Sequence, residues 1–301
     1  MNLTLATRAS RLALWQANFV KEQLLQQHPA LQIELLPITS EGDKILDKPL
    51  DKIGGKGLFI KALEQALQSG AADFAVHSMK DVPNEIPDDL TIAAITERAD
   101  PRDVFLSVNY AHFSDLPQQA TVGTCSVRRR AQLLALRPDL TILDLRGNVD
   151  TRLKKLLQGD YDAIILASAG LARLDLAEHI KGYFSFEQML PSVAQGALGI
   201  ECRRKDTQLI ALLQSLNHFN TAQCVQAERA FTAHLQGDCH SPVGVHAQMS
   251  NQEIYLQGVV ASRDGKKILR GEMRGTHPQE LGVNLGEELL RQGAKKILEV
   301  Y

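Results

Sequence analysis

Residues 72–83 read ADFAVHSMKDVP. Apolar Phe74, Ala75 and Val76 run without alternation, as in a strand covered on both faces. His77, Ser78, Lys80 and Asp81 follow at once, and Pro83 blocks a helix. A buried strand that ends in polar side chains is the pattern of an α/β sheet, where ligands meet the carboxyl ends of strands. Asp81 stands at such an end and is a candidate catalytic carboxylate. A strand-end acid can equally cap a turn or pair with a neighbour such as Lys80.

The same alternation extends in both directions. Strands are expected at 2–6, 31–38 and 91–96, and helices at 10–27 and 58–69, the latter with Ile60, Leu63 and Leu67 at helical spacing. A second block repeats the pattern, with strands at 103–108, 121–123, 141–145 and 162–167 and helices at 127–136 and 149–158. Residues 190–201 (LPSVAQGALGIE) are rich in small side chains and read as a linker returning to the first block. Two α/β lobes joined by two crossings would form a hinged cleft. From residue 219 the pattern changes to a helix at 221–236, capped by Asn220 and Gln223 and stopped at Gly237, then strands near 243–249, 253–261 and 267–274, then a helix at 278–298. The expected domains are 1–96 with 197–214, 102–190, and a small α+β domain at 219–301.

A chain of 301 residues is too long for one ordinary core, in line with that division. Its net charge of −2 gives no global positive field to attract nucleic acid. Four widely spaced cysteines without a CxxC pair make neither a disulfide framework nor a structural zinc site. Arg8 and Arg11 interrupt the N-terminal apolar residues, leaving no signal-peptide core, and no stretch reaches the length of a membrane span. The expectation is a reduced, cytoplasmic protein with no metal, no nucleic acid and no membrane partner.

Four further stretches bear on chemistry. In TCSVRRRAQL (124–133), Ser126 is a plausible N-cap, which puts Arg128, Arg129 and Arg130 in the first helical turn. Cations there oppose the helix dipole at about 0.3–1 kcal/mol each. An anionic ligand reverses the sign of that effect. The plain alternative is a solvated basic face. LRGNVDTRLKKL (145–156) repeats the layout of strand, basic turn and helix, with Arg146, Asn148 and Arg152. Arg173 follows a third strand end in DAIILASAGLARL (162–174). Three such arginine sites in one lobe favour an anion site. DKIGGKGLFIKAL (51–63) fits neither a Walker loop nor GxGxxG, but Lys52, Lys56 and Phe59 suit a loop folding over a charged aromatic ligand; a plain glycine-rich helix entry is the alternative. In LQGDCHSPVG (235–244), Cys239 sits in a polar turn. A metal site lacks further ligands nearby, and adjacent Cys and His rarely serve one reacting atom, so a half-buried thiol is the bland reading.

Taken together, GGKGLF, HSMKDVP, VGT-S-RR, LRGNV-TRL, YDAIILA-AGL-RL, GALGIE and the cysteine loop at 237–244 resemble the porphobilinogen deaminase (hydroxymethylbilane synthase) family, in order and over nearly the whole chain. The resemblance implies two lobes like type-II periplasmic binding proteins plus a small C-terminal domain. It implies a transferase that joins four porphobilinogen molecules head to tail and releases ammonia. It also implies a dipyrromethane cofactor held by a thioether, with Cys239 as the anchor. Asp81 then corresponds to the catalytic aspartate. Arg8, Arg11, Lys52, Lys56, Lys80, Arg128, Arg129, Arg146, Arg152 and Arg173 correspond to carboxylate-binding cations. Ser10, Ser78, Thr124, Ser126 and Asn148 are their hydrogen-bonding companions, and Phe59 a lid or stacking residue. Each added pyrrole brings an acetate and a propionate, which gives the cations their purpose. Departures from the family pattern are Cys125 for a serine, Asp238 and Ala194 for glycines, and His240 after the anchor. The same cations would also suit a binding protein that holds a small dianion.

Overall fold

A computed structural model describes residues 1–39, 60–236 and 241–299. Along the chain, the first elements are β1 (Asn2–Arg8), α1 (Arg11–Gln27), β2 (Gln32–Ile38), α2 (Lys61–Gln68), β3 (Phe74–Ser78) and β4 (Leu90–Ile95). The next are β5 (Asp103–Leu106), β6 (Thr121–Gly123), α3 (Val127–Leu136), β7 (Thr141–Leu143), α4 (Val149–Leu157), β8 (Ala163–Ala167), α5 (Ser168–Ala172) and β9 (Gly182–Tyr183). The rest are β10 (Leu198–Arg203), α6 (Thr207–Leu213), α7 (Phe219–His234), β11 (Val243–Ser250), β12 (Glu253–Ala261), β13 (Ile268–Gly275), α8 (Pro278–Arg291) and α9 (Ala294–Leu298). The expected α/β class is observed, with an α+β C-terminal part.

These elements form two compact units, residues 1–99 with 197–222, and residues 100–196 with 223–301. In the first unit the sheet order is β2-β1-β3-β10-β4. Strands β1, β2 and β3 are parallel, and β10 runs antiparallel between β3 and β4. Successive side chains go to opposite faces, as strand geometry requires. Leu5, Phe74 and Val76 join Ala17, Val20 and Leu24 of α1, while Ala6 and Ala75 join Leu63 and Leu67 of α2. With both faces covered, the inner strand β3 is apolar without alternation over Phe74–Val76.

The second unit holds a sheet of order β7-β6-β8-β5-β9, again with parallel strands (β7, β6, β8) and an antiparallel neighbour, β5. Phe105 and Val122 pack with Leu133 of α3 on one face; Val104 and Leu166 pack with Leu153 and Leu156 of α4 on the other. The same unit contains the three-stranded antiparallel sheet β11-β12-β13. Its core joins Phe231 of α7, Leu256 of β12, and Leu285 and Leu289 of α8.

Three sequence expectations are corrected, and one strand was not foreseen. Residues 198–203 are an inner strand, not a linker. Helix α7 begins at Phe219, two residues early, because the His218 ring, not Asn220, takes the Thr221 N–H at 3.3 Å. The expected helix at 278–298 breaks at Gly293, whose φ of 104° ends α8 and starts α9. The two-residue strand β9 was outside the pattern altogether.

Candidate active site

In the first unit the parallel strands bring Arg8, Ile38 and Ser78 to one edge of the sheet. Because β10 is antiparallel, its first residue, Leu198, pairs with Ser78 at that same edge. A 3₁₀ turn, Met79–Asp81, follows β3 directly. The Met79 N–H donates to Ala197 O at 3.0 Å, and its side chain is buried, so the turn is fastened to β10. This leaves Lys80 half-buried and Asp81 exposed at the sheet edge. Ser78 Oγ is linked to the buried Gln16 of α1, accepting from Nε2 at 2.9 Å. Sequence reasoning missed Gln16. Its signal was a polar residue at the i, i+4, i+8 spacing of Val20 and Leu24.

Ser10 is the N-cap of α1, accepting from the Ala13 N–H at 3.3 Å. Arg11 therefore opens the helix, exposed, while Arg8 ends β1 half-buried. Beneath this edge, on the α2 side, buried His77 Nε2 lies 2.9 Å from Glu201 Oε2. Burial, reinforced by Glu201, raises the pKa of the nearby Glu64 above its ordinary 4.5.

In the second unit the carboxyl ends of β6, β7 and β8 lead into the three arginine-bearing segments. Ser126 caps α3, accepting from the Arg129 N–H at 3.4 Å, and Thr124 Oγ1 accepts from the Ser126 N–H at 3.2 Å. Asn148 caps α4, its Oδ1 accepting from Thr151 N at 2.9 Å and Thr151 Oγ1 at 2.8 Å. Gly147, at φ 109°, makes the left-handed step between Arg146 and that cap. Arg152, one turn on, donates through Nε to Gly147 O at 2.8 Å. Arg173 is buried and donates to Gly196 O at 2.7 Å; burial lowers its pKa to about 10. Arg146 and Arg152 are half-buried.

Arg128 and Arg129 are not a solvated basic face. They are 5% and 6% exposed, and both reach Asp103, which is 0% exposed. Arg128 Nη1 donates to Oδ2 at 2.7 Å; Arg129 donates to Oδ1 through Nη2 at 2.8 Å and Nε at 3.1 Å. Burial alone would raise the Asp103 pKa, but the two guanidiniums outweigh it and hold the carboxyl well below its usual range. Asp103 carried no sequence signal beyond the start of a strand, since its partners lie 25 and 26 residues away.

Lys52, Lys56, Phe59 and Cys239, with Asp238 and His240, lie outside the described residues. Cys202 and Cys224 are buried, and burial pushes the Cys202 thiol up to about 11. Cys125 is half-buried beside Ser126. Among the described residues no group of three His, Cys, Asp or Glu side chains is placed to hold a metal ion. Among them, too, no helix is long and apolar enough to cross a membrane.

Two family models match. "Porphobilinogen deaminase, dipyromethane cofactor binding domain" covers residues 3–211, and "Porphobilinogen deaminase, C-terminal domain" covers residues 222–291. Solved structures give likenesses of fold at low identity. The periplasmic VFT2 domain of Bordetella pertussis BvgS is 16% identical, with 71% of this chain and 86% of that one covered at a TM-score of 0.42. A nutrient binding protein from Burkholderia cenocepacia bound to methionine is 15% identical, with 70% and 89% covered at 0.46. Immunogenic lipoprotein A from Vibrio vulnificus is 12% identical, with 75% and 99% covered at 0.45.

Proposed function

This chain belongs to the porphobilinogen deaminase family, and we propose that Asp81 is its catalytic carboxylate and Cys239 its cofactor anchor. The enzyme is a transferase of tetrapyrrole biosynthesis with a dipyrromethane cofactor; it joins four porphobilinogen molecules head to tail into hydroxymethylbilane and releases ammonia.

The buried arginine cluster suits a ligand that carries carboxylates, and this observation carries the residue assignment. Two guanidiniums face one carboxylate, so the cluster holds one more positive charge than Asp103 compensates. It also lies at the positive end of α3, where a further anion is favoured. Arg128, Arg129, Arg146, Arg152 and Arg173 would hold acetate and propionate groups; Arg8, Arg11, Lys80, Lys52 and Lys56 are given the same role on the family resemblance. Hydrogen bonds to charged groups return about 1.5–3 kcal/mol each, enough to offset removal of such groups from water. Ser10, Ser126 and Asn148 spend an acceptor on their helix caps, yet each keeps an O–H or N–H to give a ligand oxygen. Thr124, which accepts from the Ser126 N–H, keeps its O–H as well, whereas the Ser78 O–H donates to Gln16 Oε1 at 3.2 Å.

The cofactor primes chain growth when bound. Asp81, exposed on a turn fastened to β10, would stabilise the cation left when porphobilinogen loses ammonia and take the proton released on coupling. In this reading the Cys239 thiolate is the nucleophile that forms the anchoring thioether. The buried state of Cys202 and Cys224 supports it, since neither side chain is accessible. The three-domain division at 1–96 with 197–214, 102–190 and 219–301, the monomeric state and a cytoplasmic location belong to the same proposal.

Intact mass and peptide mapping test it. We expect an adduct of two condensed pyrroles, mapped to Cys239 and absent from Cys239→Ser. An adduct on the half-buried Cys125, or active enzyme with the bare chain mass, overturns the anchor assignment.

A further inference from the structure

Arg128 and Arg129 are consecutive on α3, so their side chains leave the helix about 100° apart. Both nonetheless converge on one carboxylate, and each also donates to a backbone carbonyl. Arg128 Nη1 reaches Leu190 O at 2.7 Å, and Arg129 Nη1 reaches Ile165 O at 3.0 Å. Asp103 is positioned by topology. It opens the antiparallel strand β5 and pairs with Ala167, the last residue of parallel β8. The reversed strand therefore delivers its first residue to the edge where the parallel strands release their arginine segments.

A further donor completes the arrangement. Gln195 Nε2 donates to Asp103 Oδ1 at 2.9 Å and to Pro101 O at 2.6 Å. The next residue, Gly196, offers the carbonyl that holds Arg173. The backbone bends sharply here: buried Ala194 has φ 54°, its N–H held by Glu228 Oε2 at 2.6 Å. One turn thus touches both the Asp103 cluster and Arg173.

We propose that Asp103 is a positioning residue for the reaction: it fixes Arg128 and Arg129 as a preformed receptor for one pyrrole carboxylate, and Gln195 ties that receptor to the turn that holds Arg173. The inference rests on the reading that these arginines take ligand carboxylates. A plain counter-charge would be expected to match the cations it neutralises; here one cation is left over. Guanidiniums held before the ligand arrives lose less rotamer freedom on binding than free ones do.

The test compares Asp103→Asn, Asp103→Glu, Arg129→Gln and Gln195→Met, with folding followed by circular dichroism. Two readouts are taken on folded protein: the fraction of chains carrying the two-pyrrole adduct by intact mass, and KM against kcat for porphobilinogen. Arg129→Gln tests the underlying reading and should lower the adduct fraction or raise KM. Asp103→Asn should do the same, by about tenfold, with kcat of loaded enzyme within about twofold of wild type. Asp103→Glu keeps the charge and moves the oxygens, so it should not restore the wild-type values; restoration would reduce Asp103 to a counter-charge and overturn the proposal. Wild-type adduct fraction and KM in folded Asp103→Asn, beside an impaired Arg129→Gln, overturn it while leaving the reading intact. Normal behaviour of Arg129→Gln brings down both. Should Asp103→Asn fail to fold, Gln195→Met decides: it removes one donor from Asp103 and no charge. A KM raised about two- to fivefold is expected, and an unchanged KM is the overturning result.

Discussion

Gly199 and Met79 are fitted to each other: a Cβ on Gly199 would lie 2.2 Å from the Met79 sulfur. The buried Met79 side chain crosses β10 at the one residue of that strand that leaves it room, and the turn bearing Lys80 and Asp81 hangs on this contact. Gly199→Ala therefore has two expected effects. Overpacking costs about 1–3 kcal/mol of stability, and the displaced turn lowers kcat. Thermal unfolding and steady-state rates measured together check this. A destabilised variant with wild-type kcat would show that the contact serves packing alone.

Asp81→Asn separates loading from turnover. The amide keeps the shape of the side chain but can neither balance a cation nor accept a proton at neutral pH. The adduct should remain by mass, while turnover falls by about 10²–10⁴-fold. Normal turnover in a loaded Asp81→Asn enzyme contradicts the role given to this carboxylate.

Glu64 gives a pH signature. Burial, then the nearby Glu201 charge, raises its pKa in the folded protein above 4.5. A carboxyl with a raised folded pKa supports folding below its unfolded pKa, and that support is lost as pH rises through the folded value. At pH 7 the ionised Glu64 thus weighs against the fold. Glu64→Gln should raise Tm at pH 7, and the gain should vanish as pH falls below the ordinary carboxylate range. Melting curves at pH 7 and about pH 3 decide; an equal gain at both rules out titration of Glu64 as the cause.

Local chemistry was the legible part of this chain. Helix α3 shows its bounds through the Ser126 cap, and buried strands such as FAV and IILA show through unbroken apolar runs. Strand β10 was hidden because the pattern of LGIECR is dictated by a partner far away: its glycine answers Met79, and its buried Glu201 answers His77. The arginines of the site were visible as types at strand ends, whereas Asp103 and Gln195 were not. Their meaning lies in hydrogen bonds that span from 25 to 92 residues, and no spacing rule records these. Buried polar partners are chosen by three-dimensional register, which only the sheet order supplies.

Asn148 offers the sharpest separation of a structural from a binding role. Its Oδ1 accepts from both the N–H and the Oγ1 of Thr151, so it closes the first turn of α4 while standing beside Arg146. Asn148→Ala removes the cap and should cost about 1 kcal/mol, within a range of about 0.5–2. Asn148→Asp keeps the cap, and its negative charge at the helix N-terminus adds about 0.3–1 kcal/mol of its own. The same charge repels a pyrrole carboxylate and removes the amide N–H donors. The expected pair of results is a lowered Tm for Asn148→Ala, and for Asn148→Asp a Tm at or above wild type with a raised KM for porphobilinogen. Unchanged KM in Asn148→Asp would confine Asn148 to holding the helix, and would move the ligand carboxylate away from the turn that Gly147 and Arg146 form.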